Sequence, residues 1–250
     1  MGGVPGHANL RIGCAGWTIP RAVAPAFPGE GAHLQRYARV LTGVEINTSF
    51  YRPHRPGTYG KWAAAAPGDF AFAVKVPKEI THARRLVGAD AVMDRFLGEA
   101  SALGERLGPL LVQLPPSLAL DPTIAATFFA GLRRRFAGAI VCEPRHASWF
   151  DERGERLLRS FRVARVAADP APVPAAARPG GWPGLVYHRL HGSPTMYRSA
   201  YAPAYLDALA ARLRRHLRDR QAVWCIFDNT AEGAATADAL ALLTRLGGAR

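Results

Sequence analysis

Eight short apolar runs divide the chain at fairly even intervals, and helical patterns fill most of the gaps between them. The runs fall at 10–17, 43–50, 70–76, 110–114, 139–143, 163–169, 185–191 and 223–228. Amphipathic spacing marks helices at 31–41, 57–66, 90–107, 122–136, 152–160, 203–219 and 233–246. Strands that alternate with helices must pair in parallel under a covering helix layer, and eight of them in 250 residues predict an α/β fold, a (β/α)8 TIM-type barrel. A doubly wound open sheet is the runner-up, but no GxGxxG turn follows any run. Asp121-Pro122 reads as an N-cap followed by proline at the first helical position. PAPVPAAARPGGWPG, after the sixth run, is too rich in proline and glycine for a regular helix. No linker interrupts the pattern, so residues 1–250 are expected to form a single domain.

Composition narrows the function classes. No apolar run reaches membrane-spanning length, and MGGVPGHANLRIG lacks the basic and apolar regions of a signal peptide, so a cytoplasmic protein without membrane contact is expected. Cys14, Cys142 and Cys225 are far apart, lie in apolar runs and show no CxxC or Cys/His metal spacing, which predicts small buried hydrophobes. The formal net charge of +13 raises nucleic acid as a partner. Nearly all of it is arginine, with Lys61, Lys75 and Lys78 the only lysines, and the clusters at 133–135 and 212–220 sit on helical patterns as solvated faces.

Strand side chains alternate between the two faces of a sheet, and that alternation sorts the polar residues. Glu45, Asn47 and Ser49 oppose Val44, Ile46 and Thr48; Lys75 shares a face with Ala71 and Ala73; Gln113 opposes Val112 and Leu114. Glu143 and Arg145 share a face, with His146 just beyond, and so do Tyr187, Arg189 and His191. Asp169 closes the sixth run, and Asp228 and Asn229 close the last, with the inward one of that pair undecided. Polar residues thus gather at strand ends while strand starts are apolar, which points to a polar site at one mouth of the barrel. The alternative is an ion-pair network of Glu45, Lys75, Glu143, Arg145 and Arg189 that only fixes strand geometry, although apolar layers usually stabilise as well as buried ion pairs.

At these residues the chain resembles the domain of unknown function 72, or YecE-like, family. The matching phrases are IGCAGW (12–17), VEINTSFYR (44–52), FAVKVPKEITHARRL (72–86), LGPLLVQLPPS (107–117), EPRHASWF (143–150), YHRLHGSPTMYRSAYAP (187–203) and FDNTAEGAATADAL (227–240). They keep the family's order along essentially the whole chain. One departure is Pro144, where the family more often has phenylalanine between the glutamate and the arginine; the charged residues remain. The resemblance implies a TIM-type barrel and a likeness to endonuclease IV and xylose isomerase barrels, but supplies no activity.

Three readings of the site compete. In the first, an enzyme or binder takes a small anionic molecule or phosphodiester. Arg145 and Arg189 clamp phosphate or carboxylate, Lys75 adds a point charge, and Glu45 or Glu143 serves as base. His191 or His146 donates the proton, and Asn47, Gln113, Tyr201, Asp228 and Asn229 bind or orient the ligand. The second is a metal-dependent hydrolase or isomerase with Glu45, Glu143, His146, His191 and Asp228 as ligands to a divalent cofactor; no HxH or HExxH spacing supports it, and Lys75 and Arg145 would repel the ion. A Schiff-base role for Lys75 is a minor variant. The third is a non-catalytic nucleic-acid module in which Trp17, Tyr51, Trp149, Tyr197 and Tyr201 stack on bases. The oligomeric state is not indicated.

Overall fold

The computed structural model describes residues 9–247; the remaining ends of the expected domain, with most of the stretch read for targeting, lie outside the described residues. All eight apolar runs contain strands: β1 Leu10–Cys14, β2 Gly43–Ile46, β3 Ala71–Lys75, β4 Leu107–Gln113, β5 Ile140–Glu143, β6 Val163–Arg165 with β7 Ala167–Asp169, β9 Leu185–Leu190 and β10 Ala222–Phe227. All seven expected helices are present as α1 His33–Ala38, α2 Pro56–Ala65, α3 Asp90–Ala100, α4 Pro122–Arg135, α5 Glu152–Ser160, α6 Pro203–Arg218 and α7 Ala234–Arg245. Asp121 caps α4 as expected, its carboxylate accepting from the Thr123 and Ile124 amides at 2.9 and 3.1 Å.

Several boundaries differ. Helix α3 ends at Ala100, residues 101–106 follow as a tighter turn broken at Gly104, at φ 58°, and β4 begins three residues earlier than the sequence suggests. β2 stops at Ile46, and residues 48–50 form a single helical turn, so Asn47 and Ser49 leave the strand alternation. The proline-rich stretch carries only a short turn, Pro174–Ala177, and a two-residue strand, β8 Gly180–Gly181, which pairs antiparallel with β6.

The strands form an α/β fold with parallel-rich sheets in the orders β1-β10-β9-β7 and β2-β3-β4-β5-β6-β8. No single closed ladder runs through the described residues. The sixth run is split at Val166, its first half pairing with β5 and its second with β9. Between β1 and β2 one parallel bridge, Ala15 to Glu45, takes the place of a ladder. Tyr37 from α1 enters that seam, its hydroxyl accepting from the Cys14 amide at 2.8 Å and donating to the Gly43 carbonyl at 3.3 Å.

Two apolar layers result. The larger lies between strands and helices and includes Phe70, Phe72, Val74 and Val76. The smaller, Ala73, Leu111, Val141, Ala164, Val166, Leu185, Tyr187, Trp224 and Ile226, is built from the opposite strand faces. Trp224 stacks on Tyr187 with centroids 6.0 Å apart, in space left by Gly43 and Gly108. The three cysteines are buried and free. No helix among the described residues is long and apolar enough to cross a membrane.

The seam between β1 and β2 tolerates no side chain at Gly13, where a Cβ would sit 1.9 Å from the Gly43 carbonyl oxygen. Gly13→Ala is therefore expected to cost at least about 3 kcal/mol, in the range of severe overpacking, and to show it as a large fall in the urea midpoint.

Candidate functional site

The face that carries the smaller apolar layer turns polar at the C-terminal strand ends. Following Ala73, Val141, Tyr187 and Ile226 by period two leads to Lys75, Glu143, Arg189 and Asp228. Glu45 and Gln113 join them from β2 and β4.

Arg189 is the centre of this group and is fully buried. Its Nε and Nη2 donate to Glu45, with Nη2 2.8 Å from Oε1; Nη1 reaches Glu143 Oε2 at 3.0 Å, and Nη2 also lies 2.9 Å from Asp228 Oδ2. The planar guanidinium thus meets three carboxylates from three strands, the geometry that suits arginine and not lysine. Tyr187 donates to Glu45 Oε2 at 2.9 Å and completes that carboxylate's partners. His191 bridges two acids, with Nδ1 3.0 Å from Asp228 and Nε2 2.8 Å from Glu143. Arg145 brings Nη2 within 2.8 Å of Glu143 Oε1 and 2.7 Å of His191 Nε2. Gln113 donates weakly to Glu143 at 3.4 Å. Three carboxylates, Glu45, Glu143 and Asp228, face three cations, Lys75, Arg145 and Arg189.

The environment sorts these groups. Burial pushes the Glu143 carboxyl up, but Arg189, His191 and Arg145 more than reverse this and hold it well below the carboxylate range. Asp228 is likewise lowered, burial being overcome by Arg189 and His191. Lys75 goes the other way. Burial first, then Arg189, bring its amine down to about 8, against the pull of Glu45, Asp228 and Glu143. Among the described residues its Nζ joins no ion pair; it rests 4.0 Å from the Phe50 ring centroid, a contact that favours the ammonium but does not offset desolvation. Arg145 Nε is buried without an acceptor.

Other expected residues stand apart. Asn229 points to the helix layer, where Nδ2 donates to the Ser199 carbonyl at 2.9 Å and to Asp238 at 2.7 Å. Tyr201 lies on that side too, donating to Asp169 Oδ1 at 3.0 Å and accepting from the Gly192 amide at 2.9 Å. His146 caps its own turn through Ser148. Asn47 lines a cavity of about 370 Å³ whose floor includes Glu45. Tyr187 and Phe50 belong to the cluster although sequence reasoning gave neither a role; Tyr187 was legible as the residue two before Arg189 on one strand face, whereas Phe50 lies in the turn after β2, which has no such period.

The donor set does not suit a divalent metal. Arg189 occupies the space between the three carboxylates, Arg145 lies against His191, and among the described residues no group of three His, Cys, Asp or Glu side chains is placed to hold an ion.

An α/β chain whose parallel strands converge on a buried arginine–carboxylate cluster is the class that fold and site define. The family model described as "Protein of unknown function DUF72" matches residues 11–250, and the chain belongs to that family. It is 31% identical over 173 residues to the UPF0759 protein YecE of Escherichia coli K12 and 30% identical to that of E. coli O157:H7, the matches covering 67% of this chain and 61% of each relative. The aligned region therefore spans less than two thirds of those relatives' length. A DUF72 family protein from Enterococcus faecalis superposes with a TM-score of 0.80 at 20% identity, covering 96% of both chains. One from Thermotoga maritima gives 0.77 at 23% identity, covering 96% of this chain and 99% of that one. At these identities the likeness establishes the fold.

Two outcomes follow from the cluster. Arg189→Met strands three buried carboxylates and is expected to cost about 3–5 kcal/mol or abolish folding, read by urea denaturation. Lys75 behaves oppositely. The unfolded chain binds its proton up to 10.5 and the folded chain only to about 8, so the residue lowers stability below pH 8 and ceases to do so as pH rises to 10.5. Lys75→Met is expected to raise stability at pH 7 by up to roughly 3 kcal/mol, the gain vanishing near pH 10.5 in a thermal-melt series.

Proposed function

We propose that this chain binds a small phosphate- or carboxylate-bearing molecule and promotes proton transfer on it, at the C-terminal mouth of a (β/α)8 barrel formed by one domain. The barrel reading is supported by strand order: β2 to β6 run in sequence, the chain crosses at Val166, and β7, β9, β10 and β1 follow, with the Ala15–Glu45 bridge beside β2. Three unpaired cysteines fit a reducing cytoplasm.

The observation that carries the functional reading is Arg145 Nε, buried without an acceptor, together with Lys75, whose Nζ joins no ion pair among the described residues. A buried donor without an acceptor costs about 1–3 kcal/mol, and an anion seated between these side chains would supply the acceptors. In this reading Lys75 moves the proton, because an amine at about 8 is present in both forms near neutral pH. Arg145 holds the anion, and Gln113 orients it. Arg189, with its nitrogens committed to Glu45, Glu143 and Asp228, holds the acids in place and does not clamp ligand. Glu143, kept ionised, fixes Arg145 and His191 and is not a base of useful strength.

Titration calorimetry with inorganic phosphate and citrate tests this. Lys75→Met and Arg145→Met are expected to weaken binding at least about tenfold, and wild-type affinity to fall as pH rises above about 8, where Lys75 loses its charge. Equal binding by both variants, or affinity flat across that pH range, sinks the reading.

A further inference from the structure

The cavity of about 370 Å³ beside Glu45 is within the roughly 300–1,000 Å³ of small-molecule sites, and neither Lys75 nor Arg145 lines it. Two of its walls are indoles. Trp17, in the loop after β1, and Trp62, on α2, stand 5.1 Å apart at 71°, forming a corner. The His54 ring packs against Trp62 at 5.1 Å and 74°. The other walls carry Thr18, Thr48, Asn47 and His33, with one cation, Arg52, and one carboxylate, Glu45, whose charges offset each other. Gly16, at φ 108°, borders the same space, and a Cβ there would meet no atom within 4 Å. Both indoles are half-buried, packed on the core on one side, Trp62 also on Tyr59 at 5.3 Å, and bordering this space on the other.

From this corner of indoles edged with hydroxyl, amide and imidazole groups we infer that the cleft binds a neutral, saturated, polyhydroxylated ring, a sugar or cyclic polyol. Perpendicular indoles offer no pair of parallel faces to sandwich a flat aromatic ring. They do offer one face to the C–H side of a thicker saturated ring and one edge to its flank. The polar groups match the rim of such a ring, since each hydroxyl donates and accepts. Thr48 and His54, joined at 2.8 Å, do both, and His54 is lowered by burial and then by Arg52, which keeps its imidazole neutral near pH 7. The site adjoins the ion cluster through Glu45, so a ring held here lies next to the proposed anion position, but its recognition depends on different side chains.

The test uses the whole chain with D-glucose and myo-inositol as saturated probes and indole as a flat one. In wild-type protein labelled with 5-fluorotryptophan, the fluorine resonances of Trp17 and Trp62 are expected to shift on titration with glucose or inositol, while those of Trp149, Trp182 and Trp224 stay in place. Trp17→Ala should weaken polyol binding at least tenfold yet leave phosphate binding intact, and Lys75→Met should do the reverse, so the two sites can fail separately. No shift at Trp17 and Trp62 with either polyol overturns the inference. So does indole binding more tightly than glucose, or polyol affinity unchanged in Trp17→Ala.

Discussion

The fold is organised around one guanidinium. Arg189 is buried where water cannot reach it, and a lone charge there would cost several kcal/mol. Three carboxylates from β2, β5 and the end of β10 answer it, and Tyr187, His191 and Arg145 satisfy the oxygens that Arg189 leaves over. Such a set stabilises only while complete, because each member's desolvation is offset by the others. The strand ends around it are consequently fixed in height and direction.

That rigidity explains the division of labour among the ionisable groups. Of the acids paired with Arg189, Glu143 and Asp228 are held below their ordinary range by Arg189 and His191. Lys75 is brought down to about 8 by burial and then Arg189, and it faces the same cluster but touches no carboxylate among the described residues.

Much of this was legible in the sequence, and the reasons differ by feature. The strands and helices were visible because their apolar periodicities are two and 3.6, and Asp121-Pro122 signalled α4 through capping chemistry alone. The same period of two placed Glu45, Lys75, Glu143 and Arg189 on one face and, carried through Trp224 and Ile226, selects Asp228 over Asn229. What stayed hidden depends on tertiary contact. The split at Val166 leaves no mark on the apolar pattern, Tyr37 entering the β1–β2 seam is a helix residue to any periodic reading, and Asn47 falls off its strand because the backbone turns there. Arg189 sits on the face where the pattern put it, and the carboxylates it meets belong to the protein.

The cluster also bears on how the chain is made. Glu45 and Arg189 are separated by 144 residues, and Asp228 is supplied only by the last strand. As the chain emerges from the ribosome, the acids of β2 and β5 are synthesised long before the arginine that neutralises them, and no contiguous half contains the full set. A polar interior that closes only on the final segment acts as a check on completeness, since truncated or nicked chains retain uncompensated charge where an intact one has a settled core.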